Sequence, residues 1–257
     1  MLFCSISMQA QTTININPIK DNTLYENATG SLSNGAGDHL FVGATNQGSK
    51  RRGLLKFDIA SHVPLDATIL EATLALSMDK TSSLSSNIEL HTVSADWGEG
   101  ASVAPEIGGG NGATAQTNDA TWLHTFYNSS LWNTAGGDFN ALVSATTSVN
   151  GIGSYTWTSS QLVADVQNWL NSPASNFGWC LTGDEANLRS TKRFASKEIT
   201  TLNSRPLLTI VYSLSVNVQE TYIDPHCTIY PNPSSGMMQL VVRGVSNAEV
   251  RKYYPIS

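Results

Sequence analysis

RRGLLKFDIASHVPLDATILEATLALSM, residues 51–78, decides the fold class. In its second half Leu70, Ala72, Leu74 and Leu76 alternate with Glu71, Thr73 and Ala75, the period of two that a strand shows when one face is buried. In its first half Leu55, Phe57 and Ile59 fall on one strand face and Arg52, Lys56 and Asp58 on the other. Outward from this stretch lie shorter runs of the same kind at 39–43 (HLFVG), 87–93 (NIELHTV), 153–158 (GSYTWT), 177–182 (FGWCLT) and 206–212 (PLLTIVY). Gly, Asn, Ser and Pro punctuate them, so the sequence predicts an all-β sandwich over residues 12–214. One segment departs from the pattern. Leu162, Val163, Val166, Trp169 and Leu170 recur at helical spacing, with Ser159 or Ser160 placed to cap the start and Pro173 just past the end. A single helix near 160–171 is expected, covering an open end of the sandwich. The glycines of residues 98–120 follow no strand and open no helix, so this stretch reads as a flexible loop rather than a phosphate loop.

The chain has 257 residues, 40% apolar and only 13% charged, against a usual charged fraction of about 25%. Six Trp and the apolar content exclude disorder, and no run reaches the roughly 20 apolar residues of a membrane span. A net charge of −6 disfavours nucleic acid as a partner, because phosphate binding needs a cationic surface. Cys4, Cys180 and Cys227 have neither metal-ligand spacing nor the pattern of a disulfide framework. Residues 1–11, MLFCSISMQAQ, read as the remnant of a secretory signal peptide, residues 215–228 as a linker and residues 229–257 as a second unit.

Catalytic motifs are missing from the pattern. His39, His62, His91, His124 and His226 show no paired spacing, and no Ser sits in a nucleophile elbow. The cations are more informative: none occurs between Lys80 and Arg189, while Lys50, Arg51, Arg52 and Lys56 form one group and Arg189, Lys192, Arg193 and Lys197 another. Two readings stay open. In one, Arg52, Lys56, Asp58 and Glu198 satisfy each other as a charge network that braces the sheet. In the other, Arg51, Lys56, Arg189, Lys192, Arg193 and Lys197 face a shallow groove and hold the carboxylates of an acidic polymer. Trp122, Phe126, Tyr127 and Trp132 crowd one segment, and Tyr127 and Trp132, flanked by Asn and Ser, are the rings expected to be exposed for stacking on sugar. Trp169 and Trp179 are expected in the core.

DNTLYENATG at 21–30, DHLFVG at 38–43, RRGLLKFDIASHVPLDATILEATLAL at 51–76, VSADWGE at 93–99, LVADVQNWLNSPASNFGWCLTGDE at 162–185, FASKE at 194–198 and RPLLTIVY at 205–212 together resemble the DNRLRE domain. That domain is similar to carbohydrate-binding module family 96, some of whose members bind alginate. The resemblance implies a jelly-roll β-sandwich without catalytic power, secreted or on the cell surface, whose partner is a polysaccharide such as a polyuronate. It calls for no cofactor and leaves a structural calcium open. IYPNPSSG at 229–236, followed by an apolar strand, resembles the start of a type IX secretion C-terminal sorting domain, as found in Bacteroidetes. Such domains run on past the point where this sequence stops, at RKYYPIS, so a truncated sorting domain is expected, and contact with secretion machinery depends on a complete tail. The alternative from another class is a structural or adhesive surface domain whose charges only brace the sheet.

Overall fold

Both halves of the 51–78 stretch become strands, and between them they anchor two sheets. The computed structural model describes residues 10–82, 85–105, 109–214, 226–230, 238–243 and 252–253. The chain divides into two units, Met1–Ser215 and Val216–Ser257. In the first unit the described strands are β1 (Gln11–Ile16), β2 (Lys20–Tyr25), β3 (Leu32–Ser33), β4 (His39–Ala44) and β5 (Lys50–Lys56). Next come β6 (Ala67–Thr81), β7 (Ser86–Val93), β8 (Ala113–Thr114), β9 (His124–Phe126) and β10 (Ser130–Leu131). They are followed by β11 (Phe139–Val149), β12 (Gly153–Thr158), helix α1 (Ser160–Asn171), β13 (Trp179–Thr182), β14 (Lys192–Ala195) and β15 (Leu207–Leu214). The second unit contains β16 (His226–Tyr230), β17 (Met238–Arg243) and β18 (Lys252–Tyr253) in one antiparallel sheet. The expected sorting domain falls in that unit. Most of the expected linker (215–225) and of the signal remnant (1–9) lie outside the described residues.

Strands make up 45% and helical residues 9%, an all-β sandwich. In the first sheet β12 pairs one edge of β6, and β14 and β15 run end to end along the other. Beyond them lie β4 and β1, and the second sheet runs β11, β7, β13, β5, β2. One strand serves both sheets: β4 pairs β14 through His39–Val42 and then β5 through Gly43 and Ala44. The transfer needs a corner at Gly43, where φ is +109° and a Cβ would sit 3.0 Å from the Ser190 carbonyl oxygen. Glycine is the residue that meets both demands.

Between the sheets Leu55, Phe57, Leu74, Leu76, Ile88, Trp157, Trp179 and Phe194 form the main core, each worth about 1.5–3 kcal/mol when fully buried. The Trp157 indole N–H donates to the Ile88 carbonyl at 2.9 Å, joining one sheet to the other. The expected alternation of β6 needs one correction. Leu70 is 38% exposed, because a bulge opposite Val211 and Tyr212 shifts the register, and Ala67 and Ile69 take the inward places before Ala72, Leu74 and Leu76 resume. The bulge is held from the helix: Gln167 Oε1 accepts the Ile69 N–H at 2.8 Å and its Nε2 donates to Ala67 O at 3.2 Å.

Helix α1 spans the predicted residues. Ser159 is the cap, its Oγ accepting the Leu162 N–H at 2.9 Å and donating to Ser144 O. Leu162, Val166, Trp169 and Leu170 are its buried face, and the rings of Trp169 and Trp179 lie 4.5 Å apart.

A second apolar cluster was not foreseen. Leu24, Leu54, Val93 and Cys180 cover the outer face of the second sheet, and the long connection between β7 and β11 folds Trp97, Ala120, Trp122 and Trp132 onto them. Part of the stretch expected as a flexible loop therefore helps bury a sheet face.

Candidate functional site

The sequence-predicted cations separate into groups according to what they meet. Arg51 is buried, its guanidinium 4.8 Å from the Tyr25 ring, donating to Gly110 O at 3.1 Å, Ser49 Oγ at 2.7 Å and Lys50 O at 2.8 Å. Tyr25 Oη donates to Gly109 O at 2.9 Å. Arg51 and Tyr25 thus fix the backbone at 109–110, and the expectation that Arg51 faces ligand is corrected: the side chain is buried, bonded to that loop and to Ser49 and Lys50. Lys192 is fully buried at the end of β14 and donates to Thr81 Oγ1 at 2.8 Å, so it too is withdrawn from any surface. Burial pushes its pKa down.

The expected network of Arg52, Lys56, Asp58 and Glu198 is not one network. Arg52 makes a bidentate pair with Glu185 at 2.6 and 2.9 Å, donates to Gly136 O at 2.8 Å, and lies over the Trp122 ring. Six residues along an extended chain separate Arg52 from Asp58, roughly 20 Å at strand rise, which is beyond the reach of the two side chains. Asp58 instead accepts the Ser61 N–H at 3.2 Å and closes a turn. Lys56 lies 3.7 Å from Asp96, which Lys20 also meets at 3.3 Å.

Glu198 belongs to a separate knot at the opposite end of the motif DNTLYE. Lys197 bridges Glu198 and Glu99, the second at 3.2 Å, and its backbone N–H donates to Asp21 Oδ2 at 2.7 Å. The Asp21 N–H donates to Glu99 Oε1 at 2.8 Å. Asp21 is completely buried, and burial first, then the Glu198 charge, holds its pKa well above the usual carboxylate range. Asp21 Oδ1 and Glu198 Oε2 have no hydrogen-bond partner among the described residues. Among those residues no group of three or more His, Cys, Asp or Glu is disposed to hold a metal ion.

The aromatic expectation is also corrected. Trp132 is only 5% exposed and its indole N–H donates to Thr121 O at 2.9 Å, because it closes the second apolar cluster rather than meeting solvent. Tyr127 is half-buried, edge-on to His124 at 5.3 Å.

Arg189 and Arg193 remain, and the register of β14 against β6 brings a third cation to them, since Arg193 lies opposite Lys80. All three line a cleft of about 370 Å³ with Phe41 and Thr191 on its walls and Asn111 at the 109–112 turn. Arg193 is bidentate to Asp79 at 2.7 and 2.9 Å. Burial opposes the Asp79 charge, but these bonds and neighbouring His39 outweigh it and hold that carboxyl below its usual range. Lys80 and Arg189 are exposed. No side-chain partner is found for either among the described residues, in contrast to the other cations of the first unit, each of which meets a carboxylate, a carbonyl or a hydroxyl. Arg189 also has φ +64°, a left-handed backbone that costs a non-glycine residue about 1–2 kcal/mol. Lys80 was missed because it closes a strand far in sequence from both basic groups. Only the cross-strand register exposes its neighbourhood.

Among the described residues no helix is long and apolar enough to cross a membrane. Neither a scan of protein-family models nor a search of curated proteins finds a match for this sequence.

Proposed function

We propose that the first unit is a non-catalytic binding module for an acidic polysaccharide such as alginate, acting outside the cell or on its surface. The observation that carries this reading is that Lys80 and Arg189, exposed and without a side-chain partner among the described residues, line the same cleft. Arg189 suits bidentate contact with a uronate carboxylate and Lys80 supplies a point charge. Thr191, Asn46 and Asn111 offer hydroxyl and amide groups to sugar hydroxyls. The left-handed backbone at Arg189 is the kind of local cost retained where a side chain must be presented. The DNRLRE resemblance supports the same class of partner.

The test is affinity electrophoresis and calorimetry against alginate, pectate and neutral glycans. Replacing Lys80 and Arg189 together by Ala should weaken polyuronate binding at least about tenfold and flatten its salt dependence, with an unchanged melting temperature. A double variant that binds as well as the parent overturns the proposal. Arg52, Lys56, Arg193 and Lys197 all spend their charge inside the fold, which favours the second reading, a structural or adhesive domain. A parent protein that shifts with no polymer would support that second reading.

A further inference from the structure

A larger cleft of about 520 Å³ opens between α1, the ends of β7 and β11, and the turn after the helix. Its chemistry is opposite to that of the cationic cleft. Every residue lining it falls between Thr92 and Phe177, inside the stretch that holds no Lys or Arg. A polyanion entering here would find no cation among the lining residues and would meet the carboxylate of Asp165. That carboxylate is only 5% exposed and forms no ion pair among the described residues. It is held rigidly, Oδ1 accepting from Gln161 Nε2 and Oδ2 from the Trp179 indole N–H, each at 3.0 Å. Between the pairs Phe139↔Val93 and Val143↔His91 lie residues 140–142 on β11 but only Thr92 on β7, so residues 140–142 bulge outward over the cleft. The bulge puts Leu142 at the rim, 63% exposed, and leaves Asn140 with one amide hydrogen bond, from Nδ2 to Thr92 Oγ1 at 2.6 Å. Asn168, exposed on the helix, makes no side-chain hydrogen bond among the described residues.

We infer that this cleft is a second binding site, for a neutral saccharide unit, independent of the polyuronate site. Sugar hydroxyls donate to the free lone pairs of Asp165 and to the amide oxygens of Asn140 and Asn168, and accept from the Asn168 amide. Leu142 and Phe177 give the apolar C–H face of the ring a surface to cover, and the volume falls in the range of about 300–1,000 Å³ usual for small-ligand sites. Two clefts of opposite charge on one sandwich suit a polysaccharide with both acidic and neutral units, or two polymers held side by side.

The experiment is a glycan array of neutral, acidic and amine-bearing saccharides, followed by calorimetry with the neutral oligosaccharide that binds best. Binding should persist at about 1 M salt, where the Debye length is about 3 Å. Asn168→Ala and Asn140→Ala, both exposed positions, should each weaken it about threefold to tenfold, the value of one neutral hydrogen bond, without moving the melting temperature. The Lys80 and Arg189 variants should leave it unchanged, which separates failure here from failure of the polyuronate reading. No neutral saccharide bound, a preference for ammonium-bearing sugars that salt abolishes, or loss of neutral binding through Lys80 and Arg189 alone would each overturn the inference.

Discussion

Asp21 shows how a carboxylate in a polar run of sequence can be structural in the fold. It opens DNTLYE, a polar run at the start of β2, yet Asp21 through Tyr25 are all buried. Asn22 alone donates to Ser33 Oγ and Glu99 O, each at 2.9 Å, and accepts the N–H groups of Thr23 and Asn34. For Asp21 burial favours the neutral acid, so its folded pKa lies above its unfolded value of about 3.9. The stability it contributes is complete below that unfolded value and is lost as pH rises through the folded one. Asp21→Asn keeps an oxygen for the Lys197 N–H and removes an acid whose ionisation burial and the Glu198 charge oppose. The variant should therefore melt higher than the parent by a margin that grows as pH rises above about 4, the unfolded value. Melting curves across that range check it; a margin that does not change with pH would show that the fold does not raise the Asp21 pKa above its unfolded value.

At the scale of elements, the seven strand runs read from the sequence and α1 were legible because each carries its own period. The β12 and α1 boundaries match the reading to the residue, and β7 and β15 fall within a few residues of theirs. β1, β2 and β11 lie outside those runs, and two packing features were not legible either. The bulge at Leu70 depends on how β6 meets β15 and Gln167, which no local pattern encodes. The second cluster depends on β5 and β13 burying both faces, a fact that Leu54 beside Leu55 and Cys180 beside Trp179 hinted at but that needs the 94–138 segment to complete. Trp132 looked exposed because Asn and Ser flank the segment around it, and its burial comes wholly from that long-range packing. Trp132→Ala should accordingly cost about 3–5 kcal/mol of stability, the usual cost of emptying a large aromatic site, while leaving saccharide binding by the folded protein intact. Chemical denaturation with a parallel binding titration decides it. A stable variant that has lost binding would return Trp132 to the ligand.

For the whole molecule, the reach of the core sets where the first unit can end. Its two apolar clusters draw on residues from Ile16 to Tyr212, and β15 ends at Leu214 paired with Ala67, while Ser213 pairs with Gln11 of β1. The cleft with Lys80 and Arg189 and the cleft with Asp165 are both lined from within those limits. The candidate cations were half legible at this scale: the two basic groups stood out as runs, but which of their members are paired depends on Glu185, Asp79 and Glu99 arriving from other strands and loops. A chain ending at Leu214 should fold with a melting temperature within about 2–4 °C of the full chain, the shift that 1 kcal/mol produces in a domain of this size. A chain ending at Arg205 loses β15, and with it Leu208, Ile210 and Tyr212 from the main core and the strand that joins β1 to β6. Three emptied core positions at about 2–5 kcal/mol each exceed the roughly 5–15 kcal/mol margin of a typical domain once the lost sheet edge is added. The shorter chain should show no cooperative melting transition at all, and a cooperative transition in it would mean that β15 is dispensable to the sandwich.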